Sequence, residues 1–174
     1  GVVIAEMVGR GSGFGSTYGA QTSIGLLPIL YWGSEELKNE WIPKIISGEA
    51  VSAYCLTESS SGSDALGAKC VAKLSDDGQT WTLNGEKMWI SLASKADLGM
   101  VTVKTNPSAK KASEGLSTFI VDLHSEGVKT GDLHGKLGVR AGATGWISFT
   151  DVKVPVANRI GEEGEGFKIT MSGF

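Results

Sequence analysis

A chain of 174 residues can hold one ordinary domain, or one domain with parts of a second, and is long enough to bury a substantial core. Hydrophobic residues at 41% and charged residues at 20% sit near the averages of globular proteins, which excludes disorder and fibrous repeats. Sixteen basic and nineteen acidic residues leave a net charge of -3 without a run of five like charges, so there is no footprint for nucleic acid or an anionic membrane, and small-molecule chemistry is favoured.

From Val2 to Gly48 the pattern is helical in three pieces: Val2 to Val8, Ser16 to Trp32, and Ser34 to Ser47. Glycines at 9, 11 and 13 interrupt the first, and Gly33-Ser34-Glu35-Glu36 reads as a stop followed by an N-cap with acids in the first turn. Leu37, Trp41, Ile45 and Ile46 fall on one apolar face, Pro43 is expected to bend or split the helix, and Gly48 to end it.

After Gly48 the period becomes strand-like. A strand leads into the loop at Thr57, and further strands are expected at Ala68 to Leu74, Thr80 to Leu83, Lys87 to Ser91, Leu98 to Lys104, Ser117 to Leu123 and Trp146 to Val154. Asp76-Asp77-Gly78 and Asn84-Gly85 read as tight hairpin turns. The result is an α+β chain: helices, then an antiparallel barrel or sandwich, with no βαβ unit to suggest parallel strands. Lys104 to Gly115 is a polar, basic loop, and Gly161 to Gly166 a glycine-acid hinge before a further helical start. The segments are 1–48, the end of a helical domain; 49–160, a β domain; and 161–174, a hinge and helix start.

Cys55 and Cys70 lie in apolar stretches without a CxxC pattern, which reads as buried free thiols in a reducing compartment. No run of about 18 apolar residues suggests a membrane span, and none resembles a signal peptide. The chain begins at Gly1 inside a helical pattern, as a piece of a longer polypeptide would. His124 and His134 lack metal or triad spacing and read as loop histidines, and no metal is expected.

Two places could carry chemistry. The loop Thr57 to Asp64 has five hydroxyls and a glycine; it could aim donors at a phosphate or heterocycle, or be a polar turn whose serines cap their own backbone. Trp89, on an expected strand, shares a side with Lys87 and Ser91 and opposes Met88 and Ile90, which suits a planar cofactor or a barrel core; Trp81 reads as core.

Taken jointly, Tyr54-Cys55-Leu56-Thr57-Glu58, Gly62-Ser63-Asp64, Leu83 to Ser91, Lys136-Leu137-Gly138-Val139-Arg140, Phe149 to Pro155 and Gly161 to Phe167 resemble the acyl-CoA dehydrogenase family in order and spacing. Gly19 to Gly25 and Trp89-Ile90-Ser91 are most similar to the long- and very-long-chain members. The resemblance implies an N-terminal helical domain, a middle β domain and a C-terminal four-helix domain, of which the last would be missing. It implies FAD contacts at Tyr54, Leu56, Thr57, Gly62, Ser63, Trp89 and Ser91, with Ser63 also meeting the acyl-CoA.

The implied reaction removes an α proton from a fatty acyl-CoA and passes a β hydride to flavin, giving trans-2-enoyl-CoA, with electrons leaving to an electron-transferring flavoprotein. The carboxylate base is expected beyond Phe174, so no catalytic residue is assigned, and Glu58 and Asp64 are read as structural. The 174 residues alone are expected to be inactive and to hold FAD poorly. The whole protein would be a homodimer or homotetramer, in the cytoplasm of a bacterium or the mitochondrial matrix of a eukaryote. Other readings are a non-catalytic acyl-CoA-binding or interaction module, and a relative acting as an oxidase. Ser59 replaces the family's usual proline and Leu92 a common asparagine, leaving the loop less rigid and removing a polar group after Ser91.

Overall fold

A computed structural model describes residues 2–11 and 13–173. Four helices lead the chain: α1 (Val2–Val8), α2 (Phe14–Thr22), α3 (Leu27–Trp32) and α4 (Glu35–Ser47). The single helix expected over Ser16 to Trp32 is two. Ser23 turns its hydroxyl back onto the Gly19 carbonyl at the end of α2, and Pro28 sits in the first turn of α3, where it gives up no helical bond. Ser34 caps α4 by accepting from the Leu37 N–H, and Gly48 closes it in the left-handed region. Pro43 does not split α4: the bond it forgoes would go to Asn39, which is exposed, so water can serve that carbonyl. Ile46 points to solvent rather than joining the apolar face.

Eight strands follow: β1 (Ser52–Cys55), β2 (Val71–Leu74), β3 (Thr80–Ser91), β4 (Leu98–Lys104), β5 (Leu116–Asp122), β6 (Val128–Asp132), β7 (Thr144–Pro155) and β8 (Arg159–Ile160), before a short α5 (Gly166–Met171). They form one sheet in the order β6-β7-β3-β2-β4-β5-β8, with β1 beside β4. The sheet is mostly antiparallel, as expected, with two parallel contacts to β4. β1 runs parallel to β4 from Ser52 opposite Leu98 to Cys55 opposite Val101, and β2 touches β4 in the same sense at Val71 and Lys104. β1 and β2 thus lie in line along one edge of β4, and residues 56–70 loop out of the gap between them.

β4 and β5 are buried on both faces, which is why they read as continuous apolar runs. One face joins Cys55, Trp81, Leu83, Val101, Phe119, Ile147, Phe149 and Val152 in an interior core, with the Trp81 and Phe119 rings 5.4 Å apart. The other packs Leu98, Met100, Ile120 and Ile160 against Ile29, Leu37, Ile45 and Ile169 of the helices. A buried hydroxyl chain fixes α5: Thr102 bonds Thr118 at 3.0 Å and Thr170 at 2.8 Å. Among the described residues no helix is long and apolar enough to cross a membrane.

Asn84-Gly85 is not a hairpin turn. Thr80 to Ser91 is one continuous strand paired with β7, carrying register shifts at Leu83/Gly85 and at Met88/Ile90. At the first, β7 holds the extra residue, and Asn84 reaches across to Asp151, donating to its carboxylate at 3.0 Å and accepting from its N–H at 2.9 Å. At the second the extra residue is Trp89 itself.

Candidate functional site

Strand β1 leaves β4 after Cys55, and the next residues lie against the second half of β3, joined by the Met88 N–H donating to the Thr57 carbonyl at 2.8 Å. Between them opens a groove of about 190 Å³ lined by Ser52, Tyr54, Leu56 and Thr57 on one side, Trp89, Ile90 and Ser91 on the other, and by Ala20 of α2 and Ile24 of the turn after it.

Five of the seven expected cofactor contacts, Tyr54, Leu56, Thr57, Trp89 and Ser91, therefore meet in one groove. Gly62 and Ser63 do not line it; they sit exposed on the adjoining loop, beyond the tight turn in which Glu58 and Ser61 exchange backbone bonds. Sequence reading missed Ala20, Ile24 and Ser52. Ser52 is reached through Gln21, whose side-chain oxygen accepts from the Ser52 N–H at 3.0 Å while its nitrogen donates to the Ala50 carbonyl. A Cβ on Gly25 would run into Ser52 Oγ, so this approach of the α2–α3 turn to β1 needs glycine.

The facing of Trp89 corrects the regular-strand expectation. Its φ of +62° inserts one extra residue, so Lys87 and Ile90 point into the protein while Trp89 and Ser91 point out. Lys87 and Trp89 do not share a side. The indole is 62% exposed, an unusual setting for so large an apolar group, and is held there by a backbone conformation costing roughly 1–3 kcal/mol. Thr57 Oγ1, the Thr57 N–H and Ser91 Oγ have no partner among the described residues. Tyr54 presents its ring to the groove but commits its hydroxyl to the Thr170 carbonyl at 2.7 Å; burial raises its pKa above the usual phenol range against that bond.

Beneath the groove lies a buried ion pair. Lys87 Nζ, fully inaccessible, donates to Glu58 Oε1 at 2.8 Å and to the Leu56 carbonyl at 3.0 Å. Glu58 also accepts from the Lys69 N–H at 2.6 Å and the Cys70 N–H at 3.0 Å. Burial opposes its charge, yet the Lys87 cation and these bonds hold its carboxyl below the usual range. Glu58 is thus a structural acid. The two cysteines are buried free thiols, pushed up by burial to about 12 at Cys55 and about 11 at Cys70. His124 is an exposed loop residue beside Asp97, 3.2 Å from it, and His134 is also exposed.

The groove offers an aromatic wall, two unpartnered hydroxyls and an unpaired amide, and none of its lining residues is a carboxylate. That set suits a flat ligand with an acceptor-bearing edge. Helices followed by a mostly antiparallel sheet, with such a groove where two strand ends separate, define an α+β protein.

The family follows from comparison with known proteins. The family model described as acyl-CoA dehydrogenase, middle domain, matches residues 53–152, and that for the N-terminal domain matches residues 1–49. The chain belongs to the acyl-CoA dehydrogenase family. It is 39% identical over 170 residues to a probable acyl-CoA dehydrogenase of Bacillus subtilis, covering 98% of this chain and 28% of that protein. With the human mitochondrial very long-chain specific acyl-CoA dehydrogenase it shares 41% over 172 residues, covering 97% and 26%. Among solved structures, an acyl-CoA dehydrogenase complexed with FAD from Bacillus anthracis superimposes with a TM-score of 0.89 at 40% identity, covering 98% of this chain and 29% of that one. The chain thus spans about a quarter of the length of these relatives.

Proposed function

We propose that this chain supplies the flavin-facing wall of an FAD-dependent dehydrogenase acting on fatty acyl-CoA thioesters. The observation that carries the reading is the groove at the ends of β1 and β3, where an outward-thrown tryptophan stands beside unpartnered Thr57 and Ser91 donors. FAD, when bound, accepts the hydride from the substrate β carbon. The residues present fit a flavin ring: Trp89 would cover one flank, Thr57 and Ser91 would donate to its polar edge, and Tyr54 and Leu56 would give apolar contact. Gly62 and Ser63 would act from the adjoining loop, Ser63 toward the acyl-CoA as well.

No residue of the chain is assigned the proton-removing step. Glu58 is committed to Lys87 and none of the groove's lining residues is a carboxylate; the family resemblance implies a base supplied from outside these 174 residues. Residues 1–48, 49–160 and 161–174 would be the end of a helical domain, the β domain, and the hinge into a further helical domain. Electrons would pass to an electron-transferring flavoprotein, in a homo-oligomer housed in the bacterial cytoplasm or the mitochondrial matrix.

The test is purification of the protein expressed from its complete reading frame with FAD added. Flavin absorbance that co-purifies and bleaches anaerobically with a fatty acyl-CoA is expected. Absence of both ends the reading.

A further inference from the structure

The mechanism leaves one buried charged group without a task. Lys87 and Glu58 form an ion pair directly under the groove, 0% and 5% exposed at their side chains. Buried pairs are seldom retained for stability alone, since well-packed apolar residues of similar volume often serve as well or better. Their placement suggests a different role.

Ladder pairing of β1 with β4 stops at Cys55, so Leu56, Thr57 and Glu58 belong to no strand, yet two of the three line the groove. All three of their carbonyls are nevertheless bound within the protein: Leu56 by Lys87 Nζ at 3.0 Å, Thr57 by the Met88 N–H at 2.8 Å, and Glu58 by the Ser61 N–H at 3.2 Å. The Thr57 N–H and hydroxyl are left unpaired among the described residues. With its three carbonyls tied down and the Thr57 donors unused, the segment presents donors to whatever occupies the groove.

The Glu58 carboxylate extends the tie to the far side of the loop, through Lys69 and Cys70 just before β2. A single ammonium thus joins the strand carrying Trp89 to both ends of the loop that bears Thr57. The bulge at Trp89 makes this possible, since in a regular strand Lys87 and Trp89 would face the same way.

We propose that the Lys87–Glu58 pair is the positioning device of the groove, holding the Leu56–Thr57 backbone so that its donors are preset for the acceptor edge of a flat ligand. The inference rests on the flavin reading for the identity of that ligand. Lys87 and Glu58 are positioning residues and touch no reacting atom.

The experiment compares wild-type protein from the complete reading frame with the charge-free double variant Glu58→Gln/Lys87→Met, of nearly equal volume, and with Glu58→Gln alone. A control removes the exposed Lys111–Glu114 pair as Lys111→Met/Glu114→Gln. Two readouts are taken at a temperature where circular dichroism shows all of them folded: FAD affinity by titration, and hydrogen exchange of the Met88 amide.

The double variant is expected to bind FAD about tenfold more weakly, the effect of losing one or two fixed hydrogen bonds, and to exchange Met88 faster, while the control matches wild type. Glu58→Gln should show the same changes to a smaller degree, and it decides the matter if the double variant does not fold. A folded variant with FAD affinity within about twofold of wild type and unchanged Met88 exchange would overturn the proposal, leaving the pair a plain staple. If wild-type protein binds no FAD, the flavin reading falls, and Met88 exchange alone then decides whether the pair positions the segment.

Discussion

Replacing Gly85 by alanine tests the packing on which the site depends. Gly85 holds a φ of +139°, where an L side chain is strained, and a Cβ there would lie 2.7 Å from both the Cα and the Sγ of Cys70. Backbone strain of roughly 1–3 kcal/mol adds to an overpacking cost of similar size, about 2–6 kcal/mol together. Gly78, in the β2–β3 hairpin, provides the comparison: its φ is +70°, but a Cβ would meet nothing within 4 Å, so Gly78→Ala costs only about 1–2 kcal/mol. Urea unfolding of wild type and both variants, followed by tryptophan fluorescence, measures the difference. The Gly85 variant should also melt about 10 °C lower, at a few degrees per kcal/mol for a chain of this size. Because Cys70 donates its N–H to Glu58, the displacement should reach the loop beneath the groove. Equal costs for the two alanines would refute the close approach of β3 to Cys70.

The Glu58 carboxyl, held below its ordinary value, binds its proton less readily folded than unfolded, so its stabilising contribution is complete above the unfolded value of 4.5 and is lost as pH falls through the folded one. The Cys55 and Cys70 thiols, raised by burial, stay neutral throughout that window, so the advantage of wild type over Glu58→Gln, measured by unfolding midpoints in acid, should shrink steadily below pH 4.5; a constant advantage would show that Glu58 is not the group titrating. Trp89→Ala removes an exposed side chain and should change stability by less than about 1 kcal/mol, yet weaken FAD binding in a titration. Unchanged affinity would remove the indole from the site.

What could be read from the sequence depended on how evenly burial falls along each strand. Leu98 to Lys104 emerged with its true bounds because six consecutive residues are buried. β6 escaped notice because Lys129, Thr130, Gly131 and Asp132 give it no apolar face; it pairs with β7 at the sheet's end. Asn84-Gly85 misled because a dipeptide that tolerates unusual backbone angles serves an irregularity within a strand as well as a turn. Of the groove's lining, Tyr54, Leu56, Thr57, Trp89 and Ser91 were named through family resemblance, while Ser52 on β1 was not. The facing of Trp89 was not: alternation along a strand cannot register one inserted residue, and the two shifts in the β3–β7 pairing offset each other, so the chain regains its register without a trace in the pattern. Ala20 joins the site from α2 and Ile24 from the turn after it, and neither residue type signals binding.

The parallel placement of β1 beside β4 bears on the order of assembly. Hairpin β2–β3 closes over residues 75–79 and β4–β5 over residues 105–115, but β1 cannot dock until β4 has been laid down, with the whole stretch from Leu56 to Asp97 between them. Closing a loop of that length costs about 3 kcal/mol in chain entropy before any pairing repays it. Contacts so distant in sequence form slowly. The groove, with one side on the end of β1 and the other on the end of β3, is therefore among the last parts of the molecule to exist as the chain folds, and a ligand that fills it acts as a late clamp on nascent protein, adding its own binding free energy to the docking of β1.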